Sequence, residues 1–144
     1  MDTKPNLNLA VPFFIVRDME ASLCFYVERL GFTVTNQWTP RQKIEWCWLQ
    51  RDGVAIMFQQ PNKTDHWIYS IQEAGKGISI CFQCEDALAL YSEFTGRGIF
   101  INEPFVGNNM WVVAFNDIDG YGLDFESPTD VAEGTIYSDW KNKT

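Results

Sequence analysis

The chain has 144 residues, a formal net charge of −8 and an aromatic content of 15%. An acidic surface repels a phosphate backbone, so we expect no nucleic acid as a partner and a preference for neutral or cationic molecules. There is no signal-peptide pattern and no apolar run of about 20 residues, so we expect no membrane partner and a cytoplasmic protein. The length predicts one domain, residues 1–144.

The first half of the chain predicts a strand, a helix and three further strands within residues 9–60. The apolar run 9–16 predicts the first strand, and Pro12 inside it indicates an edge position or a bulge. Asp18 is a typical N-cap, and Gly31 predicts the end of the helix. Alternating side chains and turn residues predict three more strands, at 32–38, 43–50 and 54–60.

Residues 61–77 are polar and predict a connection to a second half, residues 78–128. The predicted elements there are a strand at 77–84, a helix capped by Glu85 or Asp86 and closed by Gly98, a strand beginning at Ile99–Ile101, a loop at 102–109, and strands at 110–116 and after Asp119-Gly120. Residues 129–144 form a C-terminal tail, and we expect Trp140 to dock this tail on the domain.

The two halves share one pattern. Glu85 and Gly98 repeat the separation of Asp18 and Gly31, and each half has the element order βαβββ. Two such modules side by side predict an α+β fold in which a curved, mostly antiparallel sheet surrounds a cleft and the helices lie outside.

The last strand is predicted to have two different faces. Alternation directs Leu123 and Phe125 to the core, and Asp124 and Glu126 to the opposite side. That side faces water, a cavity or a metal, and the choice between them decides the function.

The four cysteines are expected to be reduced thiols. Cys81 and Cys84 have the spacing of a redox or zinc motif, but positions three apart in a strand face opposite sides. A redox pair usually lies at a helix N-terminus, where the thiolate is stabilised.

Four stretches together resemble the vicinal oxygen chelate superfamily, which includes glyoxalases, bleomycin resistance proteins and extradiol dioxygenases. They are Val16-Arg17-Asp18, residues 22–26, Leu30-Gly31-Phe32 and residues 117–121. The resemblance covers residues 9–128 and implies the two-module fold. Because this fold carries several chemistries, the resemblance alone does not fix an activity.

The resemblance also implies metal positions. Enzymes of the family bind one divalent metal through His or Glu on the first and fourth strands of each module. The corresponding residues here are Val11, Met57, Ser79 and Asp124, of which only Asp124 suits a divalent cation. His66, the only histidine, lies in the connection. We therefore expect neither a family-type metal nor another cofactor.

The candidate ligand-binding residues are those expected to line the cleft: Trp38, Trp46, Trp48, Met57, Ser79, Trp111 and Asp124. For Trp38 and Trp111, packing in the core or at a dimer interface is the alternative. For Asp124 the alternative is a solvated carboxylate.

The hairpin register decides where Trp46 and Trp48 point. A two-residue Asp52-Gly53 turn would pair Trp48 with Met57 and direct both tryptophans into the cleft. A three-residue turn would pair Cys47 with Met57 and direct the tryptophans into the core. The Asp-Gly sequence favours the short turn.

These residues support three hypotheses of function. The first, implied by the resemblance, is a metal-less protein of the bleomycin-resistance type, a homodimer that sequesters a flat, preferably cationic ligand such as a bleomycin-like antibiotic. The second is a metal-dependent lyase, isomerase or dioxygenase whose site is rearranged onto Asp124, Glu126 and Glu45. The third is a structural or regulatory module that binds a partner through Trp67 and Trp140.

Overall fold

The structure is a computed structural model and describes residues 4–62 and 74–144. His66 and Trp67 lie outside the described residues. The first module contains β1 (Phe13–Ile15), α1 (Met19–Leu23) with a π-helical continuation (Cys24–Arg29), β2 (Thr33–Trp38), β3 (Trp46–Arg51) and β4 (Val54–Gln59). The second contains β5 (Ser79–Gln83), α2 (Ala87–Gly96), β6 (Phe105–Gly107), β7 (Met110–Asn116) and β8 (Gly122–Pro128), and α3 (Tyr137–Lys143) follows it.

Each module carries a four-stranded sheet of the same topology. The strand orders are β1-β4-β3-β2 and β5-β8-β7-β6. In each sheet the first strand pairs in parallel with the last, and the other pairs are antiparallel. The predicted α+β fold of two βαβββ modules is therefore confirmed, and β1 lies at a sheet edge, as Pro12 indicated. Across both described ranges, no helix has the length and apolar character to span a membrane.

Local hydrogen bonds and backbone angles set the helix boundaries. Asp18 and Asp86 each accept a hydrogen bond from the backbone N–H three residues on, at 3.1 and 3.0 Å. Gly31 and Gly98 follow the helices with φ of 78° and 90°, a conformation that favours glycine. Asp86, rather than Glu85, is thus the second N-cap.

The prediction that a strand begins at Ile99–Ile101 is wrong. These isoleucines are buried, and the Ile99 N–H bonds to the Phe94 carbonyl at the end of α2. Strand β6 begins only at Phe105, and the Asn108-Asn109 turn, with φ of 52° and 61°, joins it to β7. Alternating apolar residues indicate burial, and so short a run does not distinguish a strand from a packed loop.

The tail docks on the second module. The Val106 N–H bonds to the Thr135 carbonyl at 2.9 Å, and the Trp140 ring lies 5.4 Å from the Trp111 ring. The expectation that Trp140 docks the tail is confirmed, although the sequence did not predict α3.

One hydrophobic core joins the helix-facing sides of both sheets. In the first helix, the Tyr26 ring meets the Phe58 ring of β4 at 4.8 Å, and the Phe25 ring meets the Phe115 ring of β7 at 6.4 Å. In the second helix, the Phe94 ring meets Phe115 at 5.8 Å. Since both sheets turn these faces to a shared core, their opposite faces lie outside it.

Candidate functional site

The β3–β4 hairpin has the two-residue turn that its sequence favours. Asp52, with φ of 50°, and Gly53 form the turn, and Trp48 pairs with Met57. On the neighbouring positions of β3, Cys47 and Leu49 are fully buried on the helix side. Trp46 and Trp48 therefore point to the opposite side of the sheet.

Trp38 reaches the same side through a β-bulge. Val34 pairs with Leu49, but the register then shifts, so that Asn36 pairs with Trp48 and Trp38 with Trp46. Without the shift, Trp38 would have the orientation of Val34 and face the core. With it, Trp38 lies beside Trp46 and is 52% exposed.

Phe13 is a further aromatic residue of this surface that the sequence analysis missed. It pairs with Met57 across the β1–β4 ladder and is 47% exposed, whereas the next residue, Phe14, is buried. The alternation along β1 could have revealed it. We call the set Phe13, Trp38, Trp46, Trp48 and Met57 the outer aromatic face.

Asp124 and Ser79 lie on the second sheet. Leu123 and Phe125 are buried, as predicted, and Asp124 points to the other side. The Ser79 hydroxyl donates to Asp124 Oδ2 at 2.9 Å. A side chain in place of Gly122 would put its Cβ 3.0 Å from that hydroxyl oxygen, so glycine leaves room for the pair.

The Ser79–Asp124 pair lines a cavity of about 640 Å³. Ala114 and Gly122 also line it, and their small side chains leave room beside the carboxylate. We call this the acidic cavity after Asp124, its lining carboxylate; Lys76 lines it as well. None of its lining residues comes from the first sheet, so one chain does not bring Met57 together with Ser79 and Asp124.

Trp111 does not belong to either surface, and the expectation that it lines the cleft is wrong. It pairs with Ser127 on the helix side of β7–β8 and is 5% exposed. Its ring contacts Tyr137 at 6.3 Å and Trp140 at 5.4 Å. Trp111 is covered by α3, an element that the sequence analysis did not foresee.

The donors at the family's metal positions do not fit a divalent metal. Val11 has no donor, Met57 offers a thioether, and Ser79 is engaged with Asp124. Throughout residues 4–62 and 74–144, no three His, Cys, Asp or Glu side chains gather at a point where they could hold an ion. The rearranged site of Asp124, Glu126 and Glu45 is not assembled in one chain either. Asp124 and Glu126 lie on β8 of the second sheet, whereas Glu45 lies in the first module and pairs with Arg41.

Cys81 in β5 and Cys84 directly after this strand are weakly reactive. Burial raises the pKa of the Cys81 and Cys84 thiols above the usual value of 9.0. The Cys84 thiol donates to the Glu126 carbonyl, at 3.3 Å. Both remain protonated at neutral pH, so neither supplies a ready thiolate.

Comparison with known proteins agrees with the two-module fold described above. Residues 8–125 match the family model of the Glyoxalase/Bleomycin resistance protein/Dioxygenase superfamily, so the chain belongs to that superfamily. A comparison with curated proteins finds no match.

Several solved structures share the fold. A glyoxalase/bleomycin resistance protein/dioxygenase from Nocardioides is 16% identical, with 91% of this chain and 89% of that chain covered and a TM-score of 0.70. A bleomycin resistance determinant encoded on a transposon is 24% identical, with 87% and 100% covered and a TM-score of 0.66. A bleomycin-binding protein complexed with bleomycin is 24% identical, with 84% and 98% covered and a TM-score of 0.65.

Proposed function

We propose that this protein binds a flat, preferably cationic small molecule on its outer aromatic face and sequesters it without a metal, as a bleomycin-resistance-type protein would. One observation carries the proposal. Trp38 and Trp46 form a cross-strand pair, Trp48 points to the same side, and Met57 and Phe13 extend the surface. Neighbouring ring faces stack planar ligands, and they attract cations through the ring quadrupole.

Charge supports a cationic ligand. The chain has a formal net charge of −8, which raises the local concentration of cations. The acidic cavity adds Asp124, a carboxylate oriented by Ser79 at 2.9 Å. In the proposed mechanism, ring faces hold the flat part of the ligand and Asp124 pairs with a cationic group.

A second copy of the chain would combine these two surfaces. The outer aromatic face and the acidic cavity lie on different sheets, outside the shared core. Residues 4–10 are exposed, and Leu7 and Leu9 in this arm are 95% and 71% exposed. Exposed apolar side chains of this kind favour contact with another subunit. We propose a homodimer in which one chain's aromatic face meets its partner's acidic cavity.

The structural relatives support the choice of ligand. Two of them are described as bleomycin resistance or bleomycin-binding proteins, and a third, from a Streptomyces species, as an antibiotic binding protein. Bleomycin is therefore the first ligand to test.

The test is a titration with bleomycin followed by tryptophan fluorescence. We expect saturable quenching at micromolar concentration and binding about tenfold weaker in Trp48→Ala, since one lost stacking contact is worth about 1–3 kcal/mol. Trp140→Phe, which removes a tryptophan far from the face, is the matched control and keeps the wild-type affinity. Absence of saturable quenching would exclude bleomycin as the ligand. An unchanged affinity in Trp48→Ala would exclude the outer aromatic face as its binding site.

A further inference from the structure

A separate cavity of about 580 Å³ lies between the two modules. The first module contributes the residues that follow α1 and the β3–β4 hairpin. The second contributes the end of β5, residues before and along α2, and Phe125 of β8. We call it the inter-module cavity. It shares no residue with the outer aromatic face or with the acidic cavity.

The floor of the inter-module cavity is apolar and largely aromatic. Leu30 and Phe32 come from the first module, and Phe82, Phe94 and Phe125 from the second. Phe82 and Phe125 stack with ring centroids 4.8 Å apart, and Phe94 meets Phe125 edge-on at 5.1 Å. Cavities of roughly 300–1,000 Å³ with apolar linings are typical small-molecule sites.

The one cationic side chain in the lining is already neutralised. Arg51 donates to the two Glu93 carboxylate oxygens at 2.8 and 2.9 Å, and to the Leu30 carbonyl at 2.6 Å. This bidentate pair joins the modules across the cavity wall. Because its donors are engaged within the protein, the guanidinium is poorly placed to receive an anionic ligand.

Carboxylates predominate among the charges around the cavity. Asp52 lies on the hairpin turn, 3.8 Å from Arg51 Nε and with its side chain 92% exposed. Glu85 and Asp86 lie exposed just before α2. Arg97 adds a second guanidinium beside the wall, 3.6 Å from Glu93. The four lining carboxylates, including Glu93, still outnumber the two guanidiniums of Arg51 and Arg97 by two. An entering cation is attracted to this potential, and an anion of the same shape is repelled.

We propose that the inter-module cavity is a second binding site, which takes an apolar cation that carries aromatic groups. The aromatic floor receives the rings, and the carboxylates at the rim attract the positive charge. The site is independent of the proposed ligand site on the outer aromatic face.

Two ions of matched shape and opposite charge test the proposal. Tetraphenylphosphonium and tetraphenylborate are each titrated into the full-length protein by calorimetry and by amide NMR. We expect saturable binding of the phosphonium, with shifts at the amides of Val54, Ala89 and Leu90. Binding of the borate is expected to be at least about tenfold weaker. Equal binding of the two ions would overturn the proposal.

Three variants locate the site. Ala89→Trp fills the cavity from the exposed surface of α2 and abolishes phosphonium binding, while Asp52→Asn with Glu85→Gln weakens it about fivefold, as expected for two exposed charges. Trp48→Ala, which alters the outer aromatic face, leaves the phosphonium-induced shifts at the amides of Val54, Ala89 and Leu90 unchanged. The proposal fails if phosphonium binding keeps its wild-type affinity in both cavity variants. It also fails if binding is lost in Trp48→Ala and the wild-type amide shifts are confined to the outer aromatic face.

Discussion

Tyr26 and Asp117 form a buried hydrogen bond between the two modules. The Tyr26 hydroxyl donates to Asp117 Oδ2 at 2.6 Å, while Asp117 Oδ1 accepts the backbone N–H groups of Asp119 and Tyr121, each at 2.9 Å. Burial raises the pKa of Tyr26 well above its usual value, so its hydroxyl stays a donor. The Asp117–Tyr121 turn therefore acts on the fold by holding the modules together.

Tyr121 completes this contact at the edge of the first sheet. Its hydroxyl accepts the Ile15 N–H and donates to the Ile15 carbonyl, both at 3.1 Å, and its ring stacks on Phe14 at 3.9 Å. The hydroxyl thus replaces a neighbouring strand at the free edge of β1. The sequence predicted a turn here but could not show these partners, since both are more than 100 positions away.

The buried carboxyl of Asp117 predicts a pH dependence of stability. Burial raises the pKa of Asp117 above the usual 3.8. Between the unfolded-state pKa and the raised native-state pKa, the native state therefore holds more protons than the unfolded state. Its contribution to stability is therefore fully present below the unfolded pKa and is lost as pH rises through the native pKa. Each pKa unit of difference corresponds to about 1.4 kcal/mol.

Asp117→Asn removes this titration. We expect the wild-type free energy of unfolding, minus that of the variant, to fall as the pH rises from below the usual aspartate pKa through the raised native pKa. Urea unfolding at a series of pH values measures it. A difference that stays constant or grows with pH would refute the assignment.

Among the elements, α3 covers the second module although its residues give no helical period. Trp140 lies 5.4 Å from Trp111 and 6.1 Å from Tyr137, and these contacts hold the short helix. A seven-residue helix is not stable by itself, so its existence depends on tertiary packing that a local pattern does not record.

Trp140→Ala should destabilise the protein by about 2 kcal/mol, because a half-buried indole is lost from the aromatic cluster. Trp111 should then become more exposed, which shifts the tryptophan emission to longer wavelength. Lys143→Ala on the same helix is the control and should change neither quantity. Wild-type stability in Trp140→Ala would show that α3 is not anchored there.

The strands show how much of the register and of the side-chain orientation a sequence pattern predicts. Asp52-Gly53 was enough to predict the β3–β4 register, and with it the side of Trp46 and Trp48. The position of Trp38 depends on the bulge after Val34, which has no glycine or proline to mark it. A one-residue shift reverses every later side chain, so such a site is fixed by the pairing and not by the local sequence.

At the scale of the whole molecule, the proposed dimer would combine surfaces of two chains in one site. The first sheet offers ring faces and the second offers Asp124, but the shared core joins the sheets through their other sides. A symmetric dimer would create two equivalent clefts, each with one face from either chain. This arrangement accounts for both outer surfaces and for the exposed arm at residues 4–10.

The dimer is tested by sedimentation velocity at micromolar concentration. We expect a dimer for the wild type and a shift to monomer for Leu7→Glu with Leu9→Glu, because charges replace two exposed apolar contacts. Lys4→Glu, which alters charge in the same arm, should remain dimeric. A monomeric wild type that still binds ligand would exclude the two-chain cleft.

The most direct test of metal-independent binding is calorimetry with metal-free bleomycin, before and after the protein is stripped with a chelator. We predict the same micromolar Kd in both states, because ring faces and Asp124 supply the contacts and no metal ligand set exists at the family's positions. Binding that disappears on stripping and returns with a divalent metal, together with a stoichiometric ion that Asp124→Asn removes, would contradict it.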